Sequence, residues 1–297
     1  MSAMKYIGFL LALVFVLMHE NNAENCTACW TTYNDTAKDC TAIKTYITCL
    51  YDASGCEKRQ MMMENIDKKR KSLSSCDLTK TCECQVTFMK ADVAADTKKC
   101  AARKAELGCL MMSMGVACDA TKKHMDIVSA SETAAKAVDK CALSDTCTCQ
   151  VTRAKADMAK MCTALQTEIS CVASKKNKGC GGHKGPDDIG DHARKQMDKL
   201  SSCTKTDTCK CEIVYSKADL GTKAKECTAA KAAKKCLEDL KTNSTAGCDG
   251  KTARANVIKI FAQPRINKYC VAGADSVSGL GFAVGLCVLL LQMVMWI

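Results

Sequence analysis

The chain has 297 residues, 25 of them Cys and only 2 Pro, with 4% aromatic and 47% hydrophobic residues and a formal net charge of +11. Cys at about 8% approaches the density of a disulfide scaffold; an exported chain keeps such thiols as disulfides, whereas a cytosolic one would need a dense zinc array. Two Pro argue against a turn-rich β-sandwich or barrel and against a Pro-rich stalk, and the abundant Ala and Lys favour helix, so the expected class is all-α and disulfide-rich.

Residues 1–23 have a basic start at Lys5, an apolar run from Ile7 to Met18 and a polar stretch leading to Ala23. This is the pattern of a secretory signal peptide, with cleavage expected after Ala23. The sequons at Asn25, Asn34 and Asn243 have Thr27, Thr36 and Thr245 two residues on and are candidate N-glycosylation sites. The first is the least suited, because Cys26 occupies its middle position.

The Cys spacing then divides the chain into a tandem repeat of four small helical units with six Cys each. Unit 1 (24–76) holds Cys26, Cys29, Cys40, Cys49, Cys56 and Cys76, and unit 2 (77–141) holds Cys82, Cys84, Cys100, Cys109, Cys118 and Cys141. Unit 3 (142–203) holds Cys147, Cys149, Cys162, Cys171, Cys180 and Cys203, and unit 4 (204–270) holds Cys209, Cys211, Cys227, Cys236, Cys248 and Cys270. The closing Cys recurs after 65, 62 and 67 residues. All 24 are expected in disulfides.

Each unit is expected to hold three helices. After the close Cys pair, units 2, 3 and 4 read Lys90-Ala91-Asp92-Val93, Lys155-Ala156-Asp157-Met158 and Lys217-Ala218-Asp219-Leu220. Val93, Met158 and Leu220 follow Val86, Val151 and Ile213 by seven residues, which returns to one face of a continuing helix. Turn signals at Asn34-Asp35-Thr36, Asp96-Thr97 and Gly221-Thr222 separate the first two helices, with Thr as a cap; unit 3 lacks one, which leaves a single long helix open there. Gly55, Gly179 and Gly247 precede the fifth Cys as helix C-caps would. In unit 2, Met125, Val128, Ala135 and Val138 form the apolar stripe of the third helix.

Helix geometry restricts the pairing. Cys100 and Cys109 are nine residues apart, which puts them on opposite sides of a helix some 13 Å apart, so they cannot bond each other within it. An up-down-up bundle brings Cys109 and Cys118 near Cys82 and Cys84, and Cys100 to Cys141. Six Cys allow 15 connectivities in principle.

From Leu280 to Ile297 the chain is apolar except for Gln292, with no basic residue after it. Small residues, a short spacer and this tail match a GPI signal over 271–297, with Gly273, Ala274 and Ser276 as attachment candidates; a single spanning tail is the alternative. Removing both ends leaves 24 of the 25 Cys, an even number, because only Cys287 is lost.

Candidate chemistry is sparse. Cys26-x2-Cys29 resembles a zinc or redox pair, but the repeat frame and an oxidising compartment make it structural. The loop Gly181 to Asp191, between His183 and His192, carries Asp187, Asp188 and Asp191; these suit a divalent ion, yet Gly-Gly and Gly-Pro mark an ordinary connection without EF-hand or zincin spacing. No nucleophile elbow, P-loop or dinucleotide motif occurs. No catalytic, cofactor-binding or metal residues and no cofactor are therefore expected.

Met61-Met62-Met63 and Met111-Met112 with Met114 are expected to fill core gaps. Lys pairs recur at Lys68-Lys69, Lys98-Lys99, Lys122-Lys123, Lys175-Lys176 and Lys234-Lys235, mostly as solvated helix faces. The basic balance still suits anionic glycans or surfaces. Sparse aromatics offer few stacking platforms, and export argues against nucleic acid. The functional expectation is a non-enzymatic, GPI-anchored glycoprotein on the extracellular face of the plasma membrane, serving display, adhesion or ligand capture with an unidentified protein partner. The alternatives are a matrix protein, including a biomineral one, and a basic defence or lipid-binding protein.

Overall fold

The computed structural model describes residues 26–33, 39–53, 56, 58–113, 115–241 and 245–270. The described residues are 69% helix with 12 disulfides, and they contain no strand, only an isolated bridge between Ala246 and Ala253. The expected all-helical, disulfide-rich class is therefore what forms. The signal segment, Asn25, Asn34, Asn243, Gly55, Met114, Gly273, Ala274, Ser276 and the apolar tail lie outside the described residues.

Three short helices start from the same local signal: α4 (Lys80–Met89), α7 (Asp145–Ala154) and α10 (Asp207–Lys217). Thr79, Ser144 and Thr206 are their N-caps, and each side-chain oxygen accepts a bond from the backbone N–H of the first Cys in the helix, Cys82, Cys147 or Cys209, at 3.0 Å. Such a cap satisfies one of the orphan N–H groups of a helix start. The same hydroxyls donate outward to the carbonyls of Val116 (2.7 Å), Lys178 (2.6 Å) and Ala246 (2.5 Å). Two residues on, the fully buried Thr81, Thr146 and Thr208 donate to the carbonyls of Gly115, Asn177 and Thr245. Each helix start is thus joined to the loop before the fifth Cys by two hydroxyls.

That loop also closes on itself in one way. Ala117, Gly179 and Gly247 donate their N–H to the carbonyl five residues on, at Lys122, Lys184 and Thr252. Ala120, Gly182 and Gly250, each two residues after the Cys, have φ of 61°, 74° and 73° and donate back to the carbonyls of Ala117, Gly179 and Gly247. The left-handed position suits Gly, because an L side chain is crowded there. Gly179 and Gly247 are consequently loop-closing residues and not helix C-caps. At Gly247 a Cβ would lie 2.6 Å from a Glu212 carboxylate oxygen and 2.9 Å from Val257, so close approach is its requirement.

The Lys-Ala-Asp text stops the helix instead of continuing it. α4, α7 and α10 end at Met89, Ala154 and Lys217. Asp92, Asp157 and Asp219 then accept from the N–H two residues on, at Ala94, Ala159 and Gly221, in turns that compete with helix. Val93, Met158 and Leu220 accordingly lie beyond those helices, and Met158 is 63% exposed. The same turn supplies the break sought in residues 142–203: a 3₁₀ turn (Met158–Lys160) leads into α8 (Met161–Ala173). Of the Thr caps, Thr222 caps α11 (Lys223–Asp239), whereas Thr97 lies inside α5 (Asp96–Met111), whose N-cap is Ala95.

The remaining helices are α1 (26–33), α2 (Cys40–Asp52), α3 (Arg59–Lys71), α6 (His124–Lys136), α9 (Pro186–Lys199), α12 (Arg254–Val257) and α13 (Gln263–Cys270). A π-helical segment, Ile258–Ala262, joins the last two. Pro264 accounts for it: its ring offers no N–H and would crowd the carbonyl four residues back. Pro186, the other Pro, begins α9, where a missing N–H costs nothing.

The described residues up to Met161 form one compact body with Ser174–Pro186, and Cys162–Ala173 forms the other with the residues from Asp187 onward. This division falls inside residues 142–203. In the first body Ile43, Ile47, Leu50, Met63, Leu107, Leu110 and Val128 are fully buried in one core. In the second, Ala229, Ala230, Ala233 and Leu237 of α11 pack with Tyr215, Val257 and Phe261. The small α11 side chains permit close helix approach.

The disulfides pin these cores. Cys26–Cys56, Cys29–Cys49 and Cys40–Cys76 close the first segment, and Cys82–Cys118, Cys84–Cys109 and Cys100–Cys141 the second. Further on come Cys147–Cys180, Cys162–Cys203, Cys209–Cys248, Cys211–Cys236 and Cys227–Cys270, with Cys149 and Cys171 also disulfide-bonded. In residues 77–141 Cys109 and Cys118 go to the Cys82/Cys84 pair and Cys100 to Cys141, as an up-down-up bundle places them; which of the two takes which, Cys84 with Cys109 and Cys82 with Cys118, is set by the fold.

Candidate functional site

The Cys pair, Asp187 and Asp191, picked out from the sequence for chemistry, are held by structural partners. Cys26 and Cys29 bond to Cys56 and Cys49, which excludes a free CxxC pair. Asp187 and Asp191 lie within the first turns of α9, so the connection from Gly181 ends before Pro186. There Asp191 meets Arg194 at 3.2 Å and Arg265 at 3.3 Å, and Asp187 meets Arg265 at 3.3 Å. No group of three potential metal ligands occurs among the described residues. Among them no helix is long and apolar enough to cross a membrane.

The buried charges are built into packing. Arg265 sits 4.1 Å from the Phe261 ring and 5.0 Å from that of Tyr215, and Arg194 lies 4.5 Å from Phe261 and bonds Glu212 at 2.8 Å. Burial works against the charge of Arg265, but Asp191 and Asp187 more than offset it and hold the guanidinium protonated. Glu212 also accepts from the N–H of Cys248 at 2.7 Å. Gln150, at the matching place in α7, does the same for Cys180 at 2.8 Å. In the first body Arg103 stands 3.6 Å from the Phe88 ring and bonds the buried Glu106 at 2.8 Å. These groups pair with one another inside the packing.

The Met clusters divide between core and surface. Met63 and Met111 are buried as expected, whereas Met61 is 54% and Met112 45% exposed.

Three of the sparse aromatic residues gather at one place. Trp30, Tyr33 and Tyr46 bring their ring centroids within 4.9–6.1 Å of one another across α1 and α2. Beside them a half-open groove of about 360 Å³ is lined by Tyr33, Tyr46, Thr32, Thr45, Asp39 and the Cys29–Cys49 bridge. Burial, and then the neighbouring Tyr33, push the Tyr46 hydroxyl up to about 12, so it stays protonated at any physiological pH. Asp39 at the rim caps α2 by accepting from the N–H of Ala42 at 2.8 Å. Lys69 of α3 stands 5.4 Å from the Tyr33 ring centroid.

The five Lys pairs are not equivalent. Lys98 bonds Asp92 at 2.5 Å, Lys122 bonds Asp52 at 2.5 Å, and Lys175 lies 3.6 Å from Asp145. Lys234 and Lys235 meet Glu238 (3.6 Å) and Asp239 (2.9 Å). Among the described residues Lys68 and Lys69 meet no carboxylate. The sequence lists five identical dipeptides, and only the placement of the carboxylates sets one apart.

Comparison with known proteins returns no matching family model, no similar curated protein and no similar solved structure.

Proposed function

We propose that this chain is a non-enzymatic, GPI-anchored cell-surface glycoprotein built from four tandem six-Cys helical units that display a ligand-capturing surface. The observation that carries the reading is the recurrence, in identical register, of the capped Cys helix with its self-closing loop. A local structure repeated three times with the same hydroxyls and carbonyls is a module, and rigid modules in series make extended interaction surfaces. In this reading residues 24–76 are the atypical first unit, which keeps the disulfide frame and lacks the capped text. The even Cys count of the ectodomain and the apolar tail support export and a lipid anchor.

Intact expressing cells treated with phosphatidylinositol-specific phospholipase C should release the ectodomain into the medium, read by immunoblot, with a size shift on N-glycosidase treatment. Full retention at the surface together with a C-terminal epitope still present on the mature chain would overturn the anchor. Recovery only from insoluble matrix after detergent washing would favour the matrix reading instead.

A further inference from the structure

The last turn of α3 reads Lys68-Lys69-Arg70-Lys71 and follows Asp67, which is 3% exposed. Burial raises the proton affinity of Asp67, but hydrogen bonds from Lys90, Arg70 and Lys71 outweigh it and hold the carboxyl at about 2. Arg70 lies 2.9 Å and Lys71 3.2 Å from this carboxylate, and Lys90 also bonds it. Three cations therefore share the single charge of Asp67, and Lys68 and Lys69 extend the basic run beside them. Lys68 and Lys69 make no ion pair with it or with any other described carboxylate, and Lys71 is 66% exposed.

The bland account of such a run is the helix dipole, which favours cations at a C-terminus. That account explains one or two basic residues but not the adjoining groove. Lys69 stands against Tyr33, and Tyr33 lines the groove between α1 and α2. Successive residues of a helix are 100° apart, so Lys68, Lys69 and Lys71 fan around the helix end. A single small anion cannot meet all three, whereas a chain of anionic groups can. Next to them the groove has an apolar base of Tyr33 and Tyr46, which are 4% and 2% exposed, and at its edges Thr32, Thr45 and Asp39 can meet the hydroxyls of a sugar ring. A flat bilayer would touch the cations and leave the groove empty.

We propose that the C-terminal turn of α3 and the α1–α2 groove form one binding surface for a sulfated or carboxylated glycan, whose anionic groups engage Lys68, Lys69 and Lys71 while one sugar ring enters the groove. This rests on the ligand-capture reading above and names its ligand class. Its test uses the full chain solubilised in detergent, so it can fail without touching the anchor, and loss of the anchor would leave it standing.

The probe is a heparin octasaccharide, with its fully desulfated counterpart alongside, measured by surface plasmon resonance across a salt series. Binding of the sulfated probe should weaken as salt rises. Lys68→Glu with Lys69→Glu should weaken it about tenfold or more, and the milder Lys68→Gln with Lys69→Gln should weaken it in the same direction. The equal charge change at Lys223 and Lys231, both exposed on α11, should cost less than about threefold. Thr45→Trp fills the groove without changing charge and should weaken binding about threefold or more at unchanged salt dependence. Equal binding of the desulfated probe, equal loss in the α11 variant, no loss in Thr45→Trp, or stronger binding to phosphatidylserine vesicles than to the octasaccharide would each overturn the proposal.

Discussion

His124 shows how one side chain carries a pH dependence. It opens α6, partly buried, with Nδ1 3.2 Å from Thr81 Oγ1; Nε2 is buried without a partner. The Thr81 hydroxyl already donates to Gly115, so it accepts from Nδ1–H. Burial, and then the nearby Arg153, lower the imidazole from 6.5 to about 4. The unfolded chain therefore binds the proton more readily than the folded one between those values, and stability falls as pH drops from about 6.5 toward 4. A shift of this size corresponds to about 2 kcal/mol after allowing for partial exposure. Urea unfolding at pH 7.5 and 4.5 should show this loss in the native protein and a clearly smaller one in His124→Gln; an equal loss in both would show that His124 is not its source.

At the scale of elements, spacing that reads as one continuous helix can encode its end. Val86 and Val93 share a helical phase, yet Asp92 intervenes and its side chain satisfies the backbone in a turn. The period was legible; the competition between a carboxylate and the helix ladder was not. The loop after the fifth Cys has its own signal, seen only once the loops are superposed: Gly182 and Gly250 stand where Ala120 stands, all at positive φ. Ala120→Gly should therefore raise the unfolding midpoint, by about 1 kcal/mol of stability, since an L residue is strained there. Gly250→Ala should cost a similar amount: a Cβ there meets only the Gln166 side chain at 3.5–3.6 Å, so backbone strain is the cause and not crowding. Chemical denaturation of both variants checks the pair, and no change in either would show that the turn tolerates Ala.

For the whole molecule, the bridges stand in for a large apolar core. Aromatics are only 4% of the chain, and the buried clusters lean on Cys, Ala and Met. Each bridge restricts the unfolded chain, and a longer loop is restricted slightly more. Cys100–Cys141 spans 41 residues and Cys84–Cys109 spans 25. Replacing either pair by Ser should cost about 3–4 kcal/mol, with the longer loop costing about 0.5 more. Thermal unfolding of the two double variants should show both strongly lowered and close together. A negligible loss in either would mean that packing alone holds that segment.

The number of bridges, the helical class and the grouping of cysteines in residues 77–141 followed from the chain alone, because Cys spacing and the 3.6-residue turn are local and act wherever the helix lies; which of Cys82 and Cys84 bonds Cys109 did not. Sequence distance could not tell which of five Lys pairs lacks a carboxylate, nor that Trp30, Tyr33 and Tyr46 pack ring against ring. Nor could it tell that Thr81, Thr146 and Thr208 reach loops more than thirty residues on, although the recurring Thr-Cys-x-Cys text was a usable signal. Charge neutralisation and groove formation depend on distances between side chains from different helices. Those distances exist only after the bridges and the hydroxyl-to-loop bonds have set the helices against one another.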